Sequence, residues 1–134
     1  MAEMPRWQAP QDLERVLHDD GVWEDERWSP IHLTAMSGTE WNGREIPIAW
    51  QIEFDSFDEQ LESANARIAE DGAECDGYGW GERIMERVRR RDPALATRLH
   101  LTDCEAGVCV VWVEAERDCR LVLETVWRLI HEEA

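Results

Sequence analysis

Apolar and polar residues alternate most clearly over residues 46–54, where every second side chain is apolar. A period of two places alternate side chains on one face of a β-strand, so this segment is predicted to form a strand with one buried face. Residues 31–36 alternate in the same way, and the Asn42-Gly43 pair that follows them predicts a tight turn. The buried face of the second strand would consist of Ile46, Ile48, Trp50, Ile52 and Phe54.

Apolar residues recur every three or four positions in three later segments, which is the spacing of one buried helix face. The first helix begins after a cap at Asp55 or Ser56, and the second ends before Asp92-Pro93. The third covers residues 116–132, and a shorter helix is predicted over residues 10–18. The buried faces of the three helices would consist of Phe57, Leu61, Ala64 and Ile68, then Trp80, Ile84 and Val88, then Cys119, Val122, Leu123, Val126, Trp127 and Ile130.

The remaining apolar runs, residues 99–101 and 108–113, predict two further strands joined by a short glycine-containing turn. The elements then follow the order β-β-α-α-β-β-α after a short N-terminal helix. This order is typical of an α+β fold, with a mainly antiparallel sheet and helices packed on one of its faces. The 134 residues fit a single domain. Within it, residues 1–29 would be an irregular acidic segment with the short helix, and residues 30–134 the α+β core.

The charge of the chain narrows the classes of function that it can perform. The sequence contains 30 acidic residues against 14 basic ones, all of them arginine, and its formal net charge is −16. Nucleic-acid-binding and membrane-surface proteins need a basic face, so neither a nucleic acid nor a membrane is expected as a partner. A hydrophobic fraction of 43% and eight tryptophans argue against a disordered acidic tail. A surface this acidic attracts a basic partner and speeds its encounter.

The first residues and the cysteines bear on location and cofactors. The start of the chain has no secretory-signal pattern and no stretch is apolar enough to span a membrane, so we expect a reducing, cytoplasmic location. The four cysteines contain no C-x-x-C pair and lie near no histidine in a metal-binding spacing. We therefore expect no metal and no cofactor. Cys104 and Cys109 could face each other across the last predicted hairpin.

Patterns typical of catalysis are missing as well. The four histidines are far apart in the sequence, and none lies in a nucleophile-elbow or zinc-protease motif. The absence of lysine excludes both a P-loop and lysine Schiff-base chemistry. We therefore expect no enzymatic activity, while a small enzyme or metal protein that uses Cys104, Cys109 or His100 stays open as an alternative.

Six of the eight tryptophans divide into two groups, while the strand face on which Trp112 lies stays open. Trp50, Trp80 and Trp127 lie on predicted buried faces and are expected in the core. The other group lies in acidic or turn segments, where exposed aromatic side chains framed by carboxylates would anchor a protein partner. The same side chains could instead fold back over the core, and the sequence leaves both possibilities open. This second group consists of Trp23, Trp28 and Trp41.

Two short motifs add a resemblance to a known family. The first opens a predicted helix and the second occupies the last predicted strand turn; they consist of Asp76, Gly77, Tyr78 and Trp80, and of Asp103, Glu105, Ala106 and Gly107. With the closing amphipathic helix, these motifs make residues 50–134 similar to family 51 of the immunity proteins of bacterial polymorphic toxin systems.

The motif residues also have a physical explanation that is independent of function. Gly77 and Gly79 would permit a sharp entry to the helix, and Gly107 would adopt a positive φ in the turn. Tyr78 and Trp80 would lock the helix onto the sheet. The motifs are therefore expected to be scaffold rather than binding site.

The resemblance implies an antitoxin, a protein that binds a cognate toxin made by the same bacterium and neutralises it by stoichiometric occlusion. A basic, nuclease-like toxin fits the charge, because an acidic inhibitor can imitate the phosphate backbone that such an enzyme grips. An acidic adaptor or regulatory domain without a toxin partner is the alternative. The residues expected on the toxin-facing surface are Trp23, Glu24, Asp25, Glu26 and Trp28, with Asp55, Asp58, Glu59 and Glu62.

Overall fold

The turn between residues 41 and 44 sets the long hairpin at the centre of the fold. In the computed structural model, which describes residues 3–131, Asn42 and Gly43 have φ angles of 53° and 76°. Two consecutive positive φ angles are what a two-residue type I′ turn requires, and such a turn matches the twist of the strands that it joins. The strands are β2 (His32–Trp41) and β3 (Arg44–Asp55), which pair antiparallel.

Two further strands complete an antiparallel sheet in the order β1-β2-β3-β4. β1 (Val22–Asp25) pairs with β2, and β4 (Val108–Val113) pairs with β3. The helices are α1 (Leu13–Asp20), α2 (Glu62–Glu70), α3 (Gly77–Arg91), α4 (Pro93–Ala96) and α5 (Glu116–His131), with a 3-10 turn over Glu59–Leu61 before α2. This architecture confirms the predicted α+β class with an antiparallel sheet.

One face of the sheet packs against the helices. Ile52 of β3 pairs with Leu33 of β2 and Val111 of β4, so these three side chains form a row across the sheet, and each is at most 1% exposed. The helices contribute their own apolar faces to the same cluster, which includes Leu13, Leu17, Ile68, Trp80, Ile84, Val122, Leu123, Val126 and Trp127. Burial of apolar surface in this one layer is the main favourable term in folding.

A second, smaller cluster lies away from the helices. It contains Ile46, Ala49 and Trp112, with Met36 and Trp41 packed against it. Ile46 was expected to share the buried face of β3 with the alternating residues that follow it. It is fully buried, but in this second cluster and not in the core that packs against the helices.

Two further differences from the expected element order concern short segments. Within residues 3–29, the expected short helix is present as α1, and it is followed by β1, which the sequence did not predict. Residues 99–101 are not a strand; His100 alone forms an isolated bridge with Trp112, while its neighbours Leu99 and Leu101 pack against the core as partly buried side chains. The predicted last residue of α5, Glu132, lies outside the described residues.

Candidate functional site

The first group of expected partner-binding residues, around β1, is only partly available to a partner. Glu24 and Glu26 are exposed, but Asp25 is 7% exposed and accepts hydrogen bonds from the backbone N–H and the Nε of Arg27, each at 3.0 Å. Trp28 is 2% exposed and packs edge-on against Trp127. The expectation that Asp25 and Trp28 face a partner is therefore corrected.

The other two tryptophans of the second group also fold back. Trp23 is partly buried with its ring edge-on to Trp50, at 6.3 Å between centroids. Trp41, at the hairpin end, packs edge-on against Trp112 at 5.5 Å. Tryptophans 23, 28 and 41 thus complete the two apolar clusters, because the flanking carboxylates can stay in water while the rings pack inward. The core assignment of Trp50 is confirmed, as are those of Trp80 and Trp127.

The second group of expected residues shapes the chain between β3 and α2. Asp55 accepts a hydrogen bond from the backbone N–H of Phe57, and Asp58 accepts one from that of Gln60, both at 2.8 Å. Each contact uses one carboxylate oxygen, as in side-chain caps at helix starts. Glu59 and Glu62 are exposed.

Within residues 3–131, the carboxylates of this second group have no cationic partner. Among residues 3–131, the ion pairs of the structure join other acidic residues to arginine or histidine and none involves Asp55, Asp58, Glu59 or Glu62. Their charge is therefore not neutralised within the described part of the chain. It is available to a partner that brings positive charge.

The fold brings the two groups to the same end of the sheet. β1 ends at Asp25 and β3 ends at Asp55, and both ends lie beside the first residues of β2. Between them, Gln60 Nε2 lies 3.5 Å from Ser29 Oγ. Glu26 therefore belongs to the same acidic end of the molecule as the carboxylates that precede α2.

Two exposed aromatic side chains at this end were not expected there. Phe57 is 64% exposed and Tyr78 is 56% exposed, although the sequence placed both against the core. The helical spacing that included Phe57 assumed a continuous helix, but Asp58 has an extended backbone (φ −57°, ψ 137°) that interrupts it. The sequence signal for the exposure of Phe57 was the presence of a capping residue on each side of it, Asp55 and Asp58.

One turn holds both aromatic residues in place. The carbonyl oxygen of Ala106 accepts hydrogen bonds from Ser56 Oγ at 3.1 Å and from the backbone N–H of Gly77 at 2.9 Å. Ser56 and Gly77 directly precede Phe57 and Tyr78 in the sequence. We call the resulting patch the acidic end surface, and it consists of Phe57, Tyr78, Asp55, Asp58, Glu59, Glu62 and Glu105.

The structure confirms the steric role expected for the glycines of the first motif, Gly77 and Gly79, but not the role expected for Gly107 of the second. A Cβ on Gly77 would lie 1.9 Å from the carbonyl oxygen of Glu105, and one on Gly79 would lie 2.1 Å from that of Glu74. The helix start can approach these loops only without side chains there. Gly107 meets nothing within 4 Å and has no positive φ, so the expectation about it was wrong. Tyr78 does not lock the helix onto the sheet, because its side chain is exposed, whereas Trp80 is fully buried.

The described residues form neither a metal-binding cluster nor a membrane-spanning helix. Within residues 3–131, no three His, Cys, Asp or Glu side chains are grouped so that they could hold a metal ion. No helix in that range is long and apolar enough to cross a bilayer. His100, considered above for catalysis, stacks on Trp112 at 3.7 Å and contacts Glu114 at 3.4 Å.

The chain was compared with known families, curated proteins and solved structures. No family model matches the sequence, and no curated protein and no solved structure matches the chain. The candidate function therefore rests on the residues and geometry described above.

Proposed function

We propose that this chain is an antitoxin of the immunity-protein type, which binds a basic toxin stoichiometrically through the acidic end surface and acts in the cytoplasm. The observation that supports this proposal best is a pair of exposed aromatic residues, Phe57 and Tyr78, fixed beside one turn and surrounded by unpaired carboxylates. The resemblance of the two short motifs to immunity proteins adds the class of partner.

The aromatic residues would provide the energetic centre of the contact. Large, rigid aromatic side chains are enriched among the few interface residues that account for most of the binding free energy. Exposed rings of this kind are uncommon in the rest of the chain; Val22 is the other large apolar side chain that residues 3–131 leave exposed. Burying Phe57 and Tyr78 against a partner would remove apolar surface from water at little cost in side-chain entropy.

The carboxylates would provide the rate of association and the choice of partner. A cluster of uncompensated negative charge raises the local concentration of a basic protein and orients it before contact. The caps formed by Asp55 and Asp58 hold these two side chains in fixed positions, so little ordering is needed on binding. A nuclease-like toxin fits this charge pattern, because its active site already binds a polyanion.

The alternative function is an acidic adaptor without a toxin partner. An adaptor would use the same acidic end surface, but its binding would not neutralise a toxin. Co-expression with the toxin encoded beside this chain's gene separates the two, since only an antitoxin restores growth and co-purifies with the toxin in a fixed ratio.

Substitutions in the acidic end surface test its role, with toxin binding measured on purified proteins and growth rescue measured by co-expression. Phe57→Ala should weaken toxin binding about 30-fold, the loss typical of an interface hot spot. Glu59→Arg with Glu62→Arg should slow association at low salt, measured by biolayer interferometry. The matched control is Glu40→Arg with Glu45→Arg, an equal change of charge on exposed residues at the opposite end of the sheet.

The results of these experiments distinguish an error in the location of the binding surface from an error in the proposed function. If the variants at residues 57, 59 and 62 all rescue growth as well as the wild type does, the toxin does not bind at the acidic end surface. Failure of the wild type to bind or neutralise the neighbouring toxin would overturn the proposed function.

A further inference from the structure

A cavity of about 510 Å³ lies beside the start of α3. Its wall includes Tyr78, Gly81, Met85, Leu101 and Cys104. A Cβ on Gly81 would lie 3.4 Å from the Sγ of Cys104, so the glycine leaves room over the sulfur. The cavity therefore gives a small molecule a path to a thiol that is itself only 7% exposed.

A second thiol lies directly behind the first. The Sγ atoms of Cys104 and Cys109 are 4.0 Å apart, and Cys109 is fully buried. The backbone N–H of Val110 donates a hydrogen bond to the Sγ of Cys104 at 3.4 Å. The pair thus has one sulfur at the cavity wall and one in the core, within reach of a small side-chain rotation.

The electrostatic environment favours the thiolate on the cavity side. The hydrogen bond from Cys109, helped by that from the backbone of Val110, lowers the pKa of Cys104 to about 7 against the opposing effect of burial. The pKa of Cys109 is raised by the hydrogen bond to Cys104 and by burial. Because the thiolate is the reacting form of cysteine, Cys104 would attack first.

The other two cysteines lack this combination. Cys119 is fully buried, and burial raises its pKa well above that of an ordinary thiol, so it stays protonated. Cys75 is partly exposed and lies 3.2 Å from the carbonyl oxygen of Asn65, with no second sulfur beside it. These two residues serve as internal controls for the reactivity of the pair.

We propose that Cys104 and Cys109 are a redox-active dithiol that low-molecular-weight disulfides of the glutathione type oxidise through this cavity. This inference is independent of the proposed antitoxin function. The Cys104 thiolate attacks one sulfur of the small disulfide, whose S–S bond breaks and releases one thiolate that takes up a proton. Cys109 then loses its proton, attacks the Sγ of Cys104 and releases the second small thiol. The protein gives up two electrons and two protons, and the small disulfide becomes two thiols.

The second step is favoured by the first. While Cys104 is a thiolate, its charge and its hydrogen bond both hold the proton on Cys109. A mixed disulfide on Cys104 is neutral and removes both effects, which lowers the pKa of the resolving thiol.

The test is incubation of the folded, reduced protein with oxidised glutathione, followed by cleavage at arginine and mass spectrometry. Residues 99–117 form one arginine-bounded peptide that contains both cysteines. In the wild type this peptide should lose two hydrogen atoms. Cys109→Ser should keep one glutathione on Cys104, and Cys104→Ser should show neither product.

The rate of the first step should increase as the pH is raised through about 7, where the Cys104 thiol ionises. The main result is the loss of two hydrogen atoms from the wild-type peptide, and it does not depend on whether the cysteine variants fold. Modification of Cys75 with residues 99–117 unchanged would overturn the proposal. Oxidation of the pair only after urea has unfolded the protein would overturn it as well.

Discussion

At the scale of single residues, Gly77 is the glycine at which an added side chain would meet the shortest contact. A methyl group there would lie 1.9 Å from the carbonyl oxygen of Glu105 and 2.1 Å from that of Val108, both backbone atoms that cannot turn away. Gly77→Ala should therefore lower the free energy of unfolding by about 3 kcal/mol, measured by urea denaturation. Gly107→Ala is the matched control, since its Cβ meets nothing within 4 Å, and stability should stay equal or increase by up to about 1 kcal/mol. Equal losses in both variants would contradict this reading of the turn.

At the scale of elements, one ion pair ties the end of the β2–β3 hairpin to the residue after β4. Arg44 contacts Glu114 through both guanidinium nitrogens, at 2.6 and 2.8 Å, and this contact, with a smaller one from His100, lowers the pKa of Glu114. The unfolded chain therefore takes up this proton first as the pH falls, and the stabilisation present at neutral pH is lost in acid. Glu114→Gln should flatten the acid side of the stability curve, measured by urea denaturation from pH 7 downward. Glu45→Gln, at the same hairpin end, is the control and should leave its shape unchanged.

The elements also show how far the sequence determines the fold. The hairpin, α3 and α5 were predictable because turn chemistry and periodicity agree over many residues. β1 was not, because four residues give too short an alternation and its partner strand decides the pairing. For the candidate site, composition located the carboxylates before α2, but the exposure of Phe57 depends on the extended backbone of Asp58, which spacing alone does not reveal.

At the scale of the whole molecule, the net charge of −16 destabilises the folded state through repulsion between like charges. Carboxylates that lack a cationic partner repel one another in the folded state more than in the expanded unfolded chain. Adding sodium chloride to about 0.5 M shortens the screening length to a few ångströms, so the melting temperature should increase. Calorimetry in chloride and in a second monovalent salt checks that screening, and not a specific anion, is responsible. A fall in the melting temperature would show that the surface ion pairs outweigh the repulsion.

The double hydrogen bond to the carbonyl of Ala106 has a consequence for how recognition could diversify. Since Ser56 and Gly77 both donate to the same carbonyl group, two residues before β4, the spacing of the two rings is set by these hydrogen bonds and not by loop length. Under the proposed function, a toxin would meet these rings as a fixed template and would have to conform to it. New specificities would arise by exchanging side chains on that template, while its outline stayed the same.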